Sequence, residues 1–174
     1  MEAKLFPLIS EADIQKRVKE LAQIIMADYA GREPLLVGVL KGSWVFMADL
    51  ARQLTIPVNF DFLTVSSYGD STKTSGIVKI VTDLKTPLID KDVLLIEDIY
   101  DTGLTLKYIV DNFKLRQPRS LKICVLLDKP ERHQVDIKID YLGFTVPNRF
   151  VVGYGIDYNE RFRNLPYIAC VEQT

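Results

Sequence analysis

The stretch Val93–Leu106 reads VLLIEDIYDTGLTL, and its order of residue types decides the fold. Four aliphatics in a row mark a strand covered on both faces, because a half-exposed strand would alternate. Glu97, Asp98 and Asp101 follow directly, although like charges at the end of an apolar strand repel one another and resist desolvation. Thr102, Gly103, Leu104 and Thr105 then open a segment in which Leu106, Ile109, Val110 and Phe113 recur at helical spacing. Gly103 allows a tight turn that presents N–H groups at a helix start, a site for an anion. A phosphate held there, with carboxylates beside it, describes a sugar phosphate whose hydroxyls bond to acids. Glu97 and Asp98 are strand neighbours, so they address one ligand only if the strand bends away before them. For any single acid here, a solvated turn that caps a helix is the competing reading.

Working outward, continuous aliphatic runs recur at 35–40 (LLVGVL), 123–127 (ICVLL) and 150–152 (FVV), each expected as a strand of the same parallel sheet. Helical stripes lie between them. Ile14, Val18, Leu21 and Ile25 follow a Ser10 cap, with Gly31 placed to end the helix, while Trp44, Met47, Ala48, Ala51 and Leu54 follow Ser43. Val58, Phe60 and Phe62 alternate with polar residues, as in a strand with one wet face. Strand and helix in alternation give the α/β class: a doubly wound, mainly parallel sheet in one domain spanning 1–174. Ligands of such sheets bind beyond the carboxyl ends of the strands, which singles out the turn at Leu40–Ser43 (LKGS) together with the acidic one.

Composition narrows the function. With 22 basic and 23 acidic residues the net charge is -1, so no global field draws the chain to nucleic acid or an anionic membrane. The first residues, MEAKLFPLISEAD, read as neither a signal peptide nor a membrane span, and the cytoplasm is the default compartment. Cys124 and Cys170 sit in apolar runs without metal-ligand spacing and read as buried, inert thiols. His133 is the only histidine, which excludes a two-histidine metal site, and KPERHQVD around it reads as a polar loop. Neither GxxxxGK[ST] nor GxGxxG occurs in the chain.

Taken whole, VLLIEDIYDTGLTL resembles the phosphoribosyl pyrophosphate signature of type I phosphoribosyltransferases. LKGSWVFMADL (40–50), SSYGDSTKTSGIVKI (66–80), LLDKPERH (126–133) and FVVGYGIDYNERFRNLPYI (150–168) resemble segments of the 6-oxopurine branch, in that family's order. The resemblance implies a purine salvage enzyme that moves ribose 5-phosphate from phosphoribosyl pyrophosphate to hypoxanthine or guanine, with Mg2+. Xanthine preference is the nearest alternative. A phosphoribosyl pyrophosphate sensor that controls nucleic acid is the alternative of another class, against which stands the absence of a basic surface. A small hood built from the chain ends, and a homodimer or homotetramer, are implied as well.

Carried over residue by residue, the resemblance assigns Glu97 and Asp98 to the ribose hydroxyls and to metal. The 5-phosphate falls to Thr102, Gly103, Leu104 and Thr105, and the purine N7 proton to Asp101. Lys41, Gly42 and Arg163 are implied for pyrophosphate, with a non-proline cis peptide before Lys41. Lys129 would donate to the purine O6, Phe150 would stack on the base, and Val151 would read its edge. Asp157 is implied for the purine site and for Mg2+. Ser67 and Tyr68 are implied in a lid, within a segment (66–80) whose Ser, Thr and Gly content reads as a mobile loop. Leu104 stands where several relatives carry lysine, which removes one phosphate neighbour and leaves the backbone cradle intact.

Overall fold

The computed structural model describes residues 4–68 and 77–172. Nine strands and three helices follow in the order β1 (Lys4–Ile9), α1 (Glu11–Asp28), β2 (Leu35–Leu40), α2 (Trp44–Gln53), β3 (Asn59–Tyr68) and β4 (Ile77–Thr82). Then come β5 (Asp92–Tyr100), α3 (Leu104–Leu115), β6 (Ser120–Asp128), β7 (Tyr141–Thr145), β8 (Val151–Val152) and β9 (Ile168–Glu172). The main sheet has six strands in the order β4-β3-β2-β5-β6-β7, parallel except for β4. The expected class is therefore met.

The continuous aliphatic runs have a direct cause. Successive residues of a strand point to opposite faces, and both faces are buried here. Leu94 and Ile96 enter a core with α1 and α2, while Val93 and Leu95 enter one with α3. Helix α1 starts where Ser10 Oγ accepts the Asp13 N–H, and it buries Ile14, Val18, Leu21 and Ile25 as its spacing predicts.

Several expectations need correction. The FVV run is not a strand of the parallel sheet: β8 pairs antiparallel with β9, which also pairs with β1 in a separate three-stranded sheet. Both chain ends thus build the expected hood, and its Ile9, Val151, Ile168 and Cys170 join the α1–α2 core. The stripe on α2 is out of phase, since Phe46, Met47 and Leu50 are buried while Trp44 stays 49 % exposed. Ser43 makes no side-chain cap, its hydroxyl donating back to the Val39 carbonyl at 2.7 Å. In β3 the face carrying Phe60 and Phe62, at 50 % and 40 % exposure, is open, and Leu63 faces the α3 core. The cause is the short α2, which packs on β2 and α1 and leaves β3 uncovered.

The segment 66–80, expected as a mobile loop, is partly sheet: Ser66, Ser67 and Tyr68 close β3 and pair with Lys79, Val78 and Ile77 of β4. The remainder of that segment, 69–76, lies outside the described residues.

Candidate active site

At their carboxyl ends the central strands part. Pairing of β2 with β5 stops at Gly38–Ile96, whereas β5 continues beside β6 to Tyr100–Asp128. The gap is a cavity of about 310 Å³ bordered by Gly42, Glu97, Asp98, Asp101, Thr102, Gly103 and Thr105. Glu97 and Asp98 both line it although β5 runs on past them, so no break of the strand at Ile96 is required.

The two acids are tightly coupled. Burial, reinforced by the Asp98 charge, pushes the Glu97 carboxyl well above the usual range. Burial also raises Asp98, against the pull of the Glu97 hydrogen bond and the Arg163 charge. The carboxylate of Asp98 rests on Gly42, where a Cβ would lie 1.8 Å from its Oδ2. Gly42 in turn touches Gly155, whose Cβ would lie 2.2 Å from the Gly42 carbonyl oxygen. Side chains are excluded at both positions, so the acidic turn, the Lys41–Gly42 turn and the segment after β8 stack in direct contact. The peptide bond Leu40–Lys41 is cis, as the resemblance implies.

Helix α3 begins on a left-handed residue, Gly103, at φ 84°. A Cβ there would meet Tyr100 at 2.7 Å and Val135 at 2.8 Å, so only glycine both fits and takes this turn. The first N–H groups of α3 open toward the cavity that Thr102, Gly103 and Thr105 border. Leu104 is the first helical residue and does not border it.

The cationic residues converge through one carboxylate that the sequence reading did not single out. Glu160 takes a hydrogen bond from Lys41 Nζ at 2.9 Å and faces Arg163 at 3.3 Å. Arg163 also pairs with Asp157 at 2.8 Å and donates to the Gly155 carbonyl, while its buried Nε finds no partner among the described residues. Glu160 sits on a chain reversal in which Asn159, Glu160 and Phe162 all have positive φ, a placement that no local pattern announces.

Lys129 follows β6 and is only 7 % exposed, and its side chain forms no ion pair among the described residues. Burial lowers its proton affinity, with the Asp101 charge acting the other way. Asp101 is bound by Arg132 at 2.9 Å. Phe150 stands apart from the 310 Å³ cavity, 47 % exposed, with Tyr158 edge-on at 5.4 Å. It borders a second space of about 360 Å³ with Phe6, Arg149 and Cys170. Val151 is buried and paired with Cys170. The structure thus brings residues 97–105 and Gly42 to one cavity, Lys41, Asp157 and Arg163 to one ion network, and Lys129 to the rim beside Asp101. Ser67 and Tyr68 are placed by backbone pairing alone.

A parallel sheet with a carboxylate pair and a helix N-terminus at one cavity is the architecture of a phosphosugar-binding transferase. The chain belongs to the family described as phosphoribosyl transferase domain, whose model matches residues 10–159. Among curated relatives, a hypoxanthine-guanine phosphoribosyltransferase of Bacillus subtilis is 53 % identical over 95 % of this chain and 92 % of its own. A crystal structure of a hypoxanthine-guanine phosphoribosyltransferase from Bacillus anthracis superposes with a TM-score of 0.92, at 49 % identity over 98 % of this chain and all of the other. A hypoxanthine phosphoribosyltransferase from Trypanosoma cruzi also reaches 0.92, at 41 % identity over 99 % of this chain and 93 % of its own.

Proposed function

We propose that this chain is a purine salvage transferase, moving the 5-phosphoribosyl group from phosphoribosyl pyrophosphate to hypoxanthine or guanine. The carrying observation is the single cavity in which Glu97, Asp98, Asp101 and the start of α3 meet. Glu97 and Asp98 receive the ribose hydroxyls, and the N–H groups of 102–105 hold the 5-phosphate. Lys41 and Arg163 take the pyrophosphate once Glu160 yields, and the unspent Arg163 Nε fits this role. Asp101 accepts the N7 proton, and Lys129 donates to O6. Phe150 provides the wall for the base, which requires the hood to bring it over the cavity, and Val151 reads the base edge from the backbone. Tyr68, with Ser67, serves in a lid that keeps water from the activated ribose. The whole chain, 1–174, works as one domain.

Magnesium fits the donor set: no cluster of three metal-ligating side chains exists among the described residues, but Mg2+ takes one or two carboxylates plus substrate phosphates. Glu97 and Asp98 on one side of the substrate, or Asp157 on the other, would hold it with the substrate's own oxygens, and it would neutralise charge on the departing pyrophosphate. The reaction is tested by offering hypoxanthine, guanine, xanthine and adenine with phosphoribosyl pyrophosphate and Mg2+, and following nucleotide formation in the ultraviolet. Turnover of 6-oxopurines alone supports the reading. Turnover of adenine, or none with any base, rejects it.

Lys129→Ala should raise KM for hypoxanthine roughly 10-fold or more while KM for phosphoribosyl pyrophosphate hardly moves, because a buried donor to O6 is lost. Initial-rate kinetics in both substrates check this, and equal changes in the two constants place Lys129 elsewhere.

We place the enzyme in the cytoplasm as a homodimer or homotetramer. No helix among the described residues is long and apolar enough to cross a membrane, and both cysteines are free thiols. Trp44, Phe60 and Phe62 leave an apolar face on α2 and β3 that a second copy would cover. Light scattering on the purified protein should return a dimer or tetramer mass; a monomer at all concentrations overturns the assembly.

A further inference from the structure

Lys129 and Asp101 carry opposite charges on two turns that are tied together, the Lys129 N–H donating at 3.0 Å to the carbonyl of Tyr100, the residue before Asp101. Lys129 is buried, and no ion pair joins it to Asp101 among the described residues. In a partly desolvated cleft such a pair tends to close into a salt bridge. Closure would be costly for the proposed reaction, since it would spend the O6 donor and the N7 acceptor on each other. What competes with it is visible: Arg132 Nε donates to Asp101 Oδ1 at 2.9 Å, so the carboxylate already has an ion-pair partner on its own side of the turn.

Arg132 is placed by an unusually well-tied turn. Its N–H reaches back to the Lys129 carbonyl at 2.9 Å, and the His133 ring is bonded to Asp128 at 2.7 Å, which closes the turn across its base. The same His133 ring stacks on Tyr100 at 3.8 Å, the residue before Asp101. Lys129 N–H donates to the Tyr100 carbonyl, Gln134 N–H to the Thr102 carbonyl, and Tyr100 Oη to the Val135 carbonyl. The acidic turn and the 128–135 turn therefore move as one body.

We infer that Arg132 is a positioning residue for the phosphoribosyl transfer, held by the Tyr100–His133–Asp128 stack so that Asp101 faces the purine and stays off Lys129. The inference rests on the reading of Asp101 and Lys129 as base and O6 donor. A base oriented by a third group is a recurrent device in catalysis. Because Arg132 and Asp101 are 46 % and 39 % exposed, the pair contributes little to folding, so a kinetic effect without a stability effect is the expected signature.

The test is a double-mutant cycle with Asp101→Asn. Arg132→Gln alone should lower kcat about 10-fold and raise KM for hypoxanthine several-fold, leaving KM for phosphoribosyl pyrophosphate and the melting temperature near wild type. In the Asp101→Asn background the same substitution should change neither constant further, since there is no carboxylate left to orient or to capture Lys129. Wild-type kinetics in Arg132→Gln, or an undiminished loss in the Asp101→Asn background, overturns the inference alone. Full turnover in Asp101→Asn by itself overturns the reading of Asp101 and this inference with it.

Discussion

Asp101→Asn lowers kcat by about 10²-fold or more while phosphoribosyl pyrophosphate binding and the fold persist. The expectation follows from what the substitution removes. Asparagine keeps the shape and can still meet Arg132 through its carbonyl oxygen, but it cannot take a proton from the purine as the ribosyl bond forms. General-base assistance is worth roughly 10²- to 10⁴-fold, so the loss falls on turnover. Binding is spared because, in the function proposed above, the ribose and its phosphate are received by Glu97, Asp98 and the N–H groups of α3, while Asp101 serves the base. Folding is spared because the side chain is half exposed and its one ion-pair partner is on the surface. Steady-state kinetics beside calorimetric titration of phosphoribosyl pyrophosphate separates these effects. If turnover is unchanged, Asp101 is not the base.

A large loss of stability is expected of Gly155→Ala. At φ 101° an alanine is strained, at about 1–3 kcal/mol. Its methyl group would also lie 2.2 Å from the Gly42 carbonyl oxygen, a backbone atom that cannot swing aside, adding about 1–3 kcal/mol of overpacking. Together they amount to roughly 3 kcal/mol or more, a large part of the stability of a domain of this size. The melting temperature should fall by about 6–12 °C. Gly31→Ala is the matched control, for it has φ 72° with open space around it and carries the conformational cost alone. Thermal unfolding of both variants decides: equal shifts would show that the contact with Gly42 is immaterial.

The legible parts of this molecule are those where one local rule acts alone. Val93–Ile96 is buried on both faces and reads as a strand without ambiguity, and Ser10 announces α1 because its hydroxyl caps a chain end. Gly103 is recognisable because a tight turn into a helix demands it. Patterns failed where tertiary coverage overruled them. Phe60 and Phe62 alternate as core residues do, yet no helix lies over them, and Trp44 belongs to an apolar stripe that α2 turns outward. Phe150–Val152 has the composition of a central strand, but its only partner is β9. In the site, the acidic turn could be read from order alone, whereas Glu160 and Arg132 could not. Arg132 had one faint signal, a proline-initiated turn three residues long that must bring its end back toward β6. The dismissal of His133 as a residue of a polar loop missed its stack on Tyr100, a contact between segments 33 residues apart that a single sequence does not register.

The hood carries a consequence for the order in which this molecule can be completed. Its middle strand is β9, formed by Ile168–Glu172, and β1 and β8 each pair with it and not with each other. During synthesis from the amino end, β1 therefore emerges well before β9 and waits for its mate. The segment from β2 to β6 pairs within itself, apart from β7 on its outer edge, and has no such wait. A nascent chain can thus possess its acidic turn and helix α3 while Phe150 and Val151 still hang unanchored, so the half proposed for the phosphosugar takes shape on the ribosome before the half proposed for the base.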